Sequence, residues 1–196
     1  MTQNMAAPAK LTMPAIVDAA IDLADVDGLA ALSMRKLADR LGVGAMSLYR
    51  HVADKDQLVR EMAEEAGRRF RYPIDEPGPW TWRERVQIAV DVDWALYERH
   101  PWMVLAYASP RFTFSKTSVE CLRWLADGLA ELGRGEDKSI DMALAVWNLI
   151  NGVALAMVAD SLIAEQGLER SDVVPQVDLK ERLDSGIEYL CRGFVG

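Results

Sequence analysis

Apolar side chains in this chain recur every three or four positions and almost nowhere every two, so the pattern predicts helices throughout and no sheet. Thr12 is placed to cap a first helix with Pro14 in its opening turn; Ile16, Ala20, Leu23 and Ala24 form its apolar face, and Gly28 marks its end. Ser33 opens a second helix in which Met34, Leu37, Ala38 and Leu41 share one side, and Gly42 stops it. A very short third helix, about Ala45 to Val52, has only Leu48 and Val52 as an inward seam. A fourth runs from Asp54 or Lys55 to about Arg71, with Leu58, Met62 and Ala66 facing in.

The stretch "YPIDEPGPW" then breaks the pattern with three prolines and a glycine. It divides the chain into an N-terminal domain, 1–72, a linker, 73–80, and a helical domain, 81–196. In the latter, Thr81 and Glu84 form a capping box ahead of a helix to about His100, and Pro101 starts a short one through Tyr107. Further helices are expected over 116–132, 139–166 and from Leu179 to Phe194. The 18 uncharged residues from Met142 to Ala159 approach the length of a membrane span. Asn148, Asn151 and Gly152 interrupt them, and no Lys or Arg cluster flanks them, so a core or dimer helix is the expectation and a membrane partner is not.

Composition changes this picture at one place. The chain carries a formal charge of -8, which argues against coating nucleic acid by charge alone, but all of that excess lies after residue 72. Within 33–55, Arg35, Lys36, Arg40, Arg50 and Lys55 outnumber Asp39 and Asp54. The second and third helices, joined by a glycine turn, read as a helix-turn-helix whose outward residues can enter a DNA major groove. Ala45, Met46, Ser47, Tyr49, Arg50 and His51 are left free by the Leu48/Val52 seam. Arg50 suits a bidentate contact with guanine, Ser47 a base or phosphate, and Ala45 or Met46 a thymine methyl. Tyr49, His51 and Lys55 suit phosphates, while Ser33 and Arg35 complete the expected contact set. Only Lys10 offers a basic group on the N-terminal arm.

The segment "LSMRKLADRLGVGAMSLYRHVADKDQLV", residues 32–59, resembles the DNA-binding signature of the TetR family of bacterial transcriptional regulators, nearest the tetracycline-repressor-like branch. Leu37, Ala38, Leu41, Gly42, Val43, Leu48, Tyr49, His51, Lys55 and Leu58 carry the likeness. It implies an all-α fold, with a three-helix DNA-binding domain followed by a helical effector-binding and dimerisation domain. It also implies a cytoplasmic homodimer that represses from a palindromic double-stranded operator and is released by a small molecule.

All six tryptophans follow the boundary, and apolar pockets with a few polar anchors are how small-molecule sites are built. Asp93, Trp94, Tyr97, Met103, Tyr107, Phe112, Trp124, Trp147, Asn148 and Asn151 are the effector candidates, and Asp93 among tryptophans suits a cationic, aromatic ligand. Leu155, Leu162, Leu179, Leu183, Ile187 and Leu190 are the candidates for a dimer seam, with Gly152 and Gly186 permitting close approach. Cys121 and Cys191 are too few for a disulfide framework, and His51 and His100 too few for a metal site. No catalytic constellation or cofactor loop is recognisable. The competing expectation is an all-helical small-molecule-binding protein or enzyme without a DNA function.

Overall fold

The computed structural model describes residues 11–76, 78–109, 111–164 and 178–196, excluding the side chains of 160–164. Among the described residues the fold is all helix, and the chain divides into compact units at Met62/Ala63. The expected all-α class holds.

The first unit is built from α1 (Met13–Ala31), α2 (Met34–Leu41), α3 (Ala45–Leu48) and the start of α4 (Lys55–Arg69). Its helix ends follow from local chemistry. The Thr12 side chain accepts the Ala15 amide, Ser33 accepts the Lys36 amide at 3.2 Å, and Gly28 leaves helical geometry inside α1 at φ 77°. Gly42 takes the left-handed conformation at φ 65°, which turns the chain so that its own amide and that of Val43 reach the Ala38 carbonyl. Ile16, Ala20, Leu37, Leu48, Val52 and Leu58 close the core beneath.

The third helix is shorter than its pattern predicts. Regular α geometry ends at Leu48, but its carbonyl accepts the amides of both His51 (2.8 Å) and Val52 (3.0 Å), so the chain keeps turning and still delivers Val52 to the core. Asp54 then accepts the Gln57 amide at 2.7 Å and Gln57 reaches back to the Ala53 amide at 2.7 Å, opening α4.

The second unit holds the rest of α4, then α5 (Trp82–Arg99), α6 (Trp102–Tyr107), α7 (Lys116–Leu129) with a 3-10 turn over Ala130–Leu132, α8 (Glu136–Ala164) and α9 (Leu179–Val195). The capping box of Thr81 and Glu84 is present, and Ser115 and Asp178 cap α7 and α9. Residues 136–159 of α8 are long and apolar enough to cross a membrane. In this fold one row, Ala143, Val146, Ile150, Ala154 and Val158, is buried while α8 packs against α5, α6, α7 and α9. The proline-rich stretch 73–80 lies inside this unit.

Candidate functional site

On the first unit the outward face of α3 and the turn after it is a small polar and aromatic platform. Met46 is 77% exposed and Tyr49 46% exposed, because the single inward turn of α3 is committed to Leu48. Arg50 is exposed and its guanidinium donates to Ser47 Oγ at 3.2 Å, which holds both groups on one side. Ala45 and His51 are half-buried at the edge, and Arg35 stands exposed on α2. Of these, Ser47 and Arg50 are joined directly.

Four basic or polar side chains of this stretch are engaged otherwise. The Ser33 hydroxyl is spent on capping α2. The Lys55 ammonium donates to the Leu29 carbonyl at 3.3 Å, tying α4 to the end of α1. Lys36 and Arg40 on α2 pair with Asp27 (3.5 Å) and Asp22 (3.4 Å) on α1, so part of the local positive charge is neutralised within the unit. These acidic partners lie on a different helix, where the local count over 33–55 missed them. Lys10 lies outside the described residues.

In the second unit, the aromatic candidates converge on a polar centre that the sequence only half disclosed. Asp93 is buried on the inner face of α5. Tyr72, in the segment after α4, donates its hydroxyl to Asp93 Oδ2 at 2.9 Å, and Trp147 of α8 donates its indole N–H to the same hydroxyl oxygen at 3.0 Å. Burial raises the Asp93 carboxyl to about 7, outweighing the Tyr72 and Trp147 hydrogen bonds that favour its charge. Burial likewise pushes the Tyr72 and Tyr97 hydroxyls well above their ordinary range. Tyr107 stacks on Trp147 with ring centres 6.4 Å apart and meets Tyr97 edge-on at 6.5 Å.

Tyr72 was missed because it falls outside any helical repeat. Glu64 lies within α4 but off its apolar face, and its carboxylate accepts the Thr117 hydroxyl at 2.7 Å and the Thr117 amide at 3.2 Å, joining α4 to the first turn of α7.

The remaining effector candidates scatter. Met103 is solid core. Trp94 donates to Glu98 on its own helix, and Phe112 is half-buried in the loop before α7. Asn148 is exposed on the opposite side of α8, away from the Asp93 cluster. Asn151 is one turn beyond Trp147, and its Oδ1 is buried without a partner among the described residues. Trp124 meets Tyr72 edge-on at 5.6 Å and Trp80 at 5.7 Å, and with Trp80, Arg85 and Glu120 it lines an open groove of about 460 Å³.

The dimer candidates divide similarly. Leu183 and Ile187 are buried within the single chain, as is Cys191 one turn further, so this row of α9 packs into the chain's own core. Gly186 lies against Leu149 of α8, whereas a side chain at Gly152 would meet nothing within 4 Å. Leu155 is 42% exposed; Leu179 and Leu190 are half-buried. Leu162 lies outside the described side chains. Both cysteines are free.

Residues 16–62 match the family model described as bacterial regulatory proteins, tetR family. The HTH-type transcriptional repressor DrrR1 of Streptomyces coeruleorubidus is 42% identical over 94 residues, 48% of this chain and 34% of that protein. An HTH-type transcriptional regulator of Saccharopolyspora erythraea is 35% identical over 142 residues, 72% of this chain and 59% of that one. The matches thus span between a third and three fifths of these relatives' length. Among solved structures, BioQ of Mycobacterium smegmatis superposes with a TM-score of 0.77 at 23% identity, covering 95% of this chain and 98% of that one. BioQ bound to its double-stranded DNA operator gives 0.71 at 22%, covering 95% and 99%.

Proposed function

We propose that this chain, a TetR-family transcriptional regulator by its DNA-binding unit, is a repressor that binds a palindromic operator as a homodimer and is released by a small molecule held in its second unit. The observation that carries the reading is the outward face of α3 and its following turn. A four-residue helix keeps only Leu48 for the core and leaves Met46, Tyr49 and the Ser47–Arg50 pair in solvent. Such exposure of large apolar and aromatic groups beside a guanidinium has no packing purpose and suits a major groove. The repressor role named for DrrR1 and the operator complex of BioQ support the same reading.

Arg50 is assigned to base readout, Tyr49 and His51 to phosphates, and Arg35 to the flanking backbone. Lys55 is assigned a positioning role as well, since its tie to Leu29 fixes the start of α4 near the DNA-facing edge. The homodimer would use the outward sides of α8 and α9 in the cytoplasm. An effector that prefers the DNA-incompetent arrangement weakens operator binding by its differential affinity and no more.

Genomic fragments retained by the purified protein test this directly. A short inverted repeat should be enriched, and Arg50→Ala should reduce its affinity about 10- to 100-fold, the worth of one good base contact. Tyr49→Ala should weaken all sequences alike. Retention without sequence preference, or preference surviving Arg50→Ala, would refute the assignment of α3 as the reading element.

A further inference from the structure

Asp93 presents an energetic problem that its neighbours do not solve. A carboxylate taken out of water needs a cation or several strong donors. Here it receives a phenol, Tyr72, with the Trp147 indole behind it, and among the described residues no ammonium or guanidinium pairs with it. Aromatic rings gather nearby: Tyr97 is one turn along α5 and meets Tyr107 edge-on, and Tyr107 lies stacked on Trp147. One turn beyond Trp147, Asn151 buries an acceptor oxygen that has no donor among the described residues. The centre therefore holds a buried carboxyl acceptor among aromatic rings and, among the described residues, lacks a positive charge bearing N–H groups.

We propose that the core of the second unit is a site for a protonated organic amine, which takes Asp93 as its counter-ion, displaces the Tyr72 hydroxyl and lies against the Trp147 and Tyr107 rings. Cations are drawn to indole and phenol faces, and the more so when both are desolvated. Tyr72 already occupies the donor's place at Asp93, so its hydroxyl marks the position in which the ligand's N–H would bond. The path inward is short, because Trp124 lines the open groove and its ring touches Tyr72. Tyr72 lies three residues past the end of α4, so displacing it changes what anchors that helix's C-terminal end. This rests on the reading that the second unit holds an effector, and it names that effector's chemistry.

Isothermal titration with 1-naphthylmethylamine and its neutral counterpart 1-naphthylmethanol tests it. The amine should bind the wild-type protein at least about tenfold more tightly. Asp93→Asn, which keeps the side chain's shape, should remove the preference while leaving alcohol affinity within about twofold. Tyr72→Phe, which deletes the competing hydroxyl, should raise amine affinity several-fold. If Asp93→Asn does not fold, as judged by circular dichroism, the Tyr72→Phe titration decides alone. Equal binding of amine and alcohol to the wild type, no amine binding at millimolar concentration, or a preference that persists in Asp93→Asn overturns the proposal. Operator release is measured separately: an amine that binds with Asp93 dependence yet leaves the operator complex intact overturns the effector-release reading and leaves the amine site standing.

Discussion

Asp93 makes the protein's stability depend on pH in a direction unusual for a carboxyl group. Its folded-state value, about 7, lies above the ordinary 3.8, so between those limits the folded chain holds a proton that the unfolded chain has lost. Stability contributed by this group is therefore full below the ordinary value and falls as pH rises towards 7. The whole effect is roughly 4 kcal/mol. Asp93→Asn has no such proton to lose. Urea unfolding at pH 5 and at pH 8 should show the wild type losing more stability across that interval than the variant, and parallel losses would contradict it. The same residue shows what single positions disclose: its place on the Val86, Ala89, Val90 and Tyr97 face was readable from spacing. Its partners Tyr72 and Trp147, 75 positions apart, were not, because no local pattern links them.

Among the elements, α2 and the turn into α3 were the most legible because their determinants are local. Ser33, the Leu37/Ala38 face and Gly42 each act within a few residues, and each sits where the pattern placed it. Gly42 supports a sharp prediction. At φ 65°, with nothing within 4 Å of a β-carbon built there, an alanine would meet no neighbour and suffer only the backbone penalty. Gly42→Ala should therefore cost about 1 to 2 kcal/mol, seen as a lower unfolding midpoint, while Gly193→Ala, helical and equally open, should be neutral or slightly stabilising. A comparable loss at both positions would show that packing rather than conformation decides the turn. The end of α3 was harder to read: periodicity runs on to Val52, and only the two amides sharing the Leu48 carbonyl reveal that the α geometry has already changed.

For the whole molecule, the proposed homodimer needs an apolar surface left uncovered by the chain itself, which spacing alone does not reveal. Periodicity reports that α9 has an apolar face but not what covers it; Leu183, Ile187 and Cys191 are covered by the chain itself. What remains outward is the α8 row of Asn148, Gly152 and Leu155 and, on α9, Tyr189, 71% exposed. A bare glycine between a polar and a large apolar residue is the kind of surface on which two helices approach closely, and two helices from each copy, α8 and α9, make a four-helix bundle. In the proposed homodimer Leu155→Asp would set one carboxylate against its symmetry mate, so the wild type should sediment as a dimer and the variant as a monomer, with loss of cooperative operator binding. Leu183→Ala is the contrasting substitution. It empties part of the monomer's core, so it should cost about 2 to 5 kcal/mol of stability without selectively weakening self-association. If Leu155→Asp remained dimeric while Leu183→Ala dissociated, the seam would have to involve the inner row of α9, and the packing of α9 onto α8 would have to open for the protein to assemble.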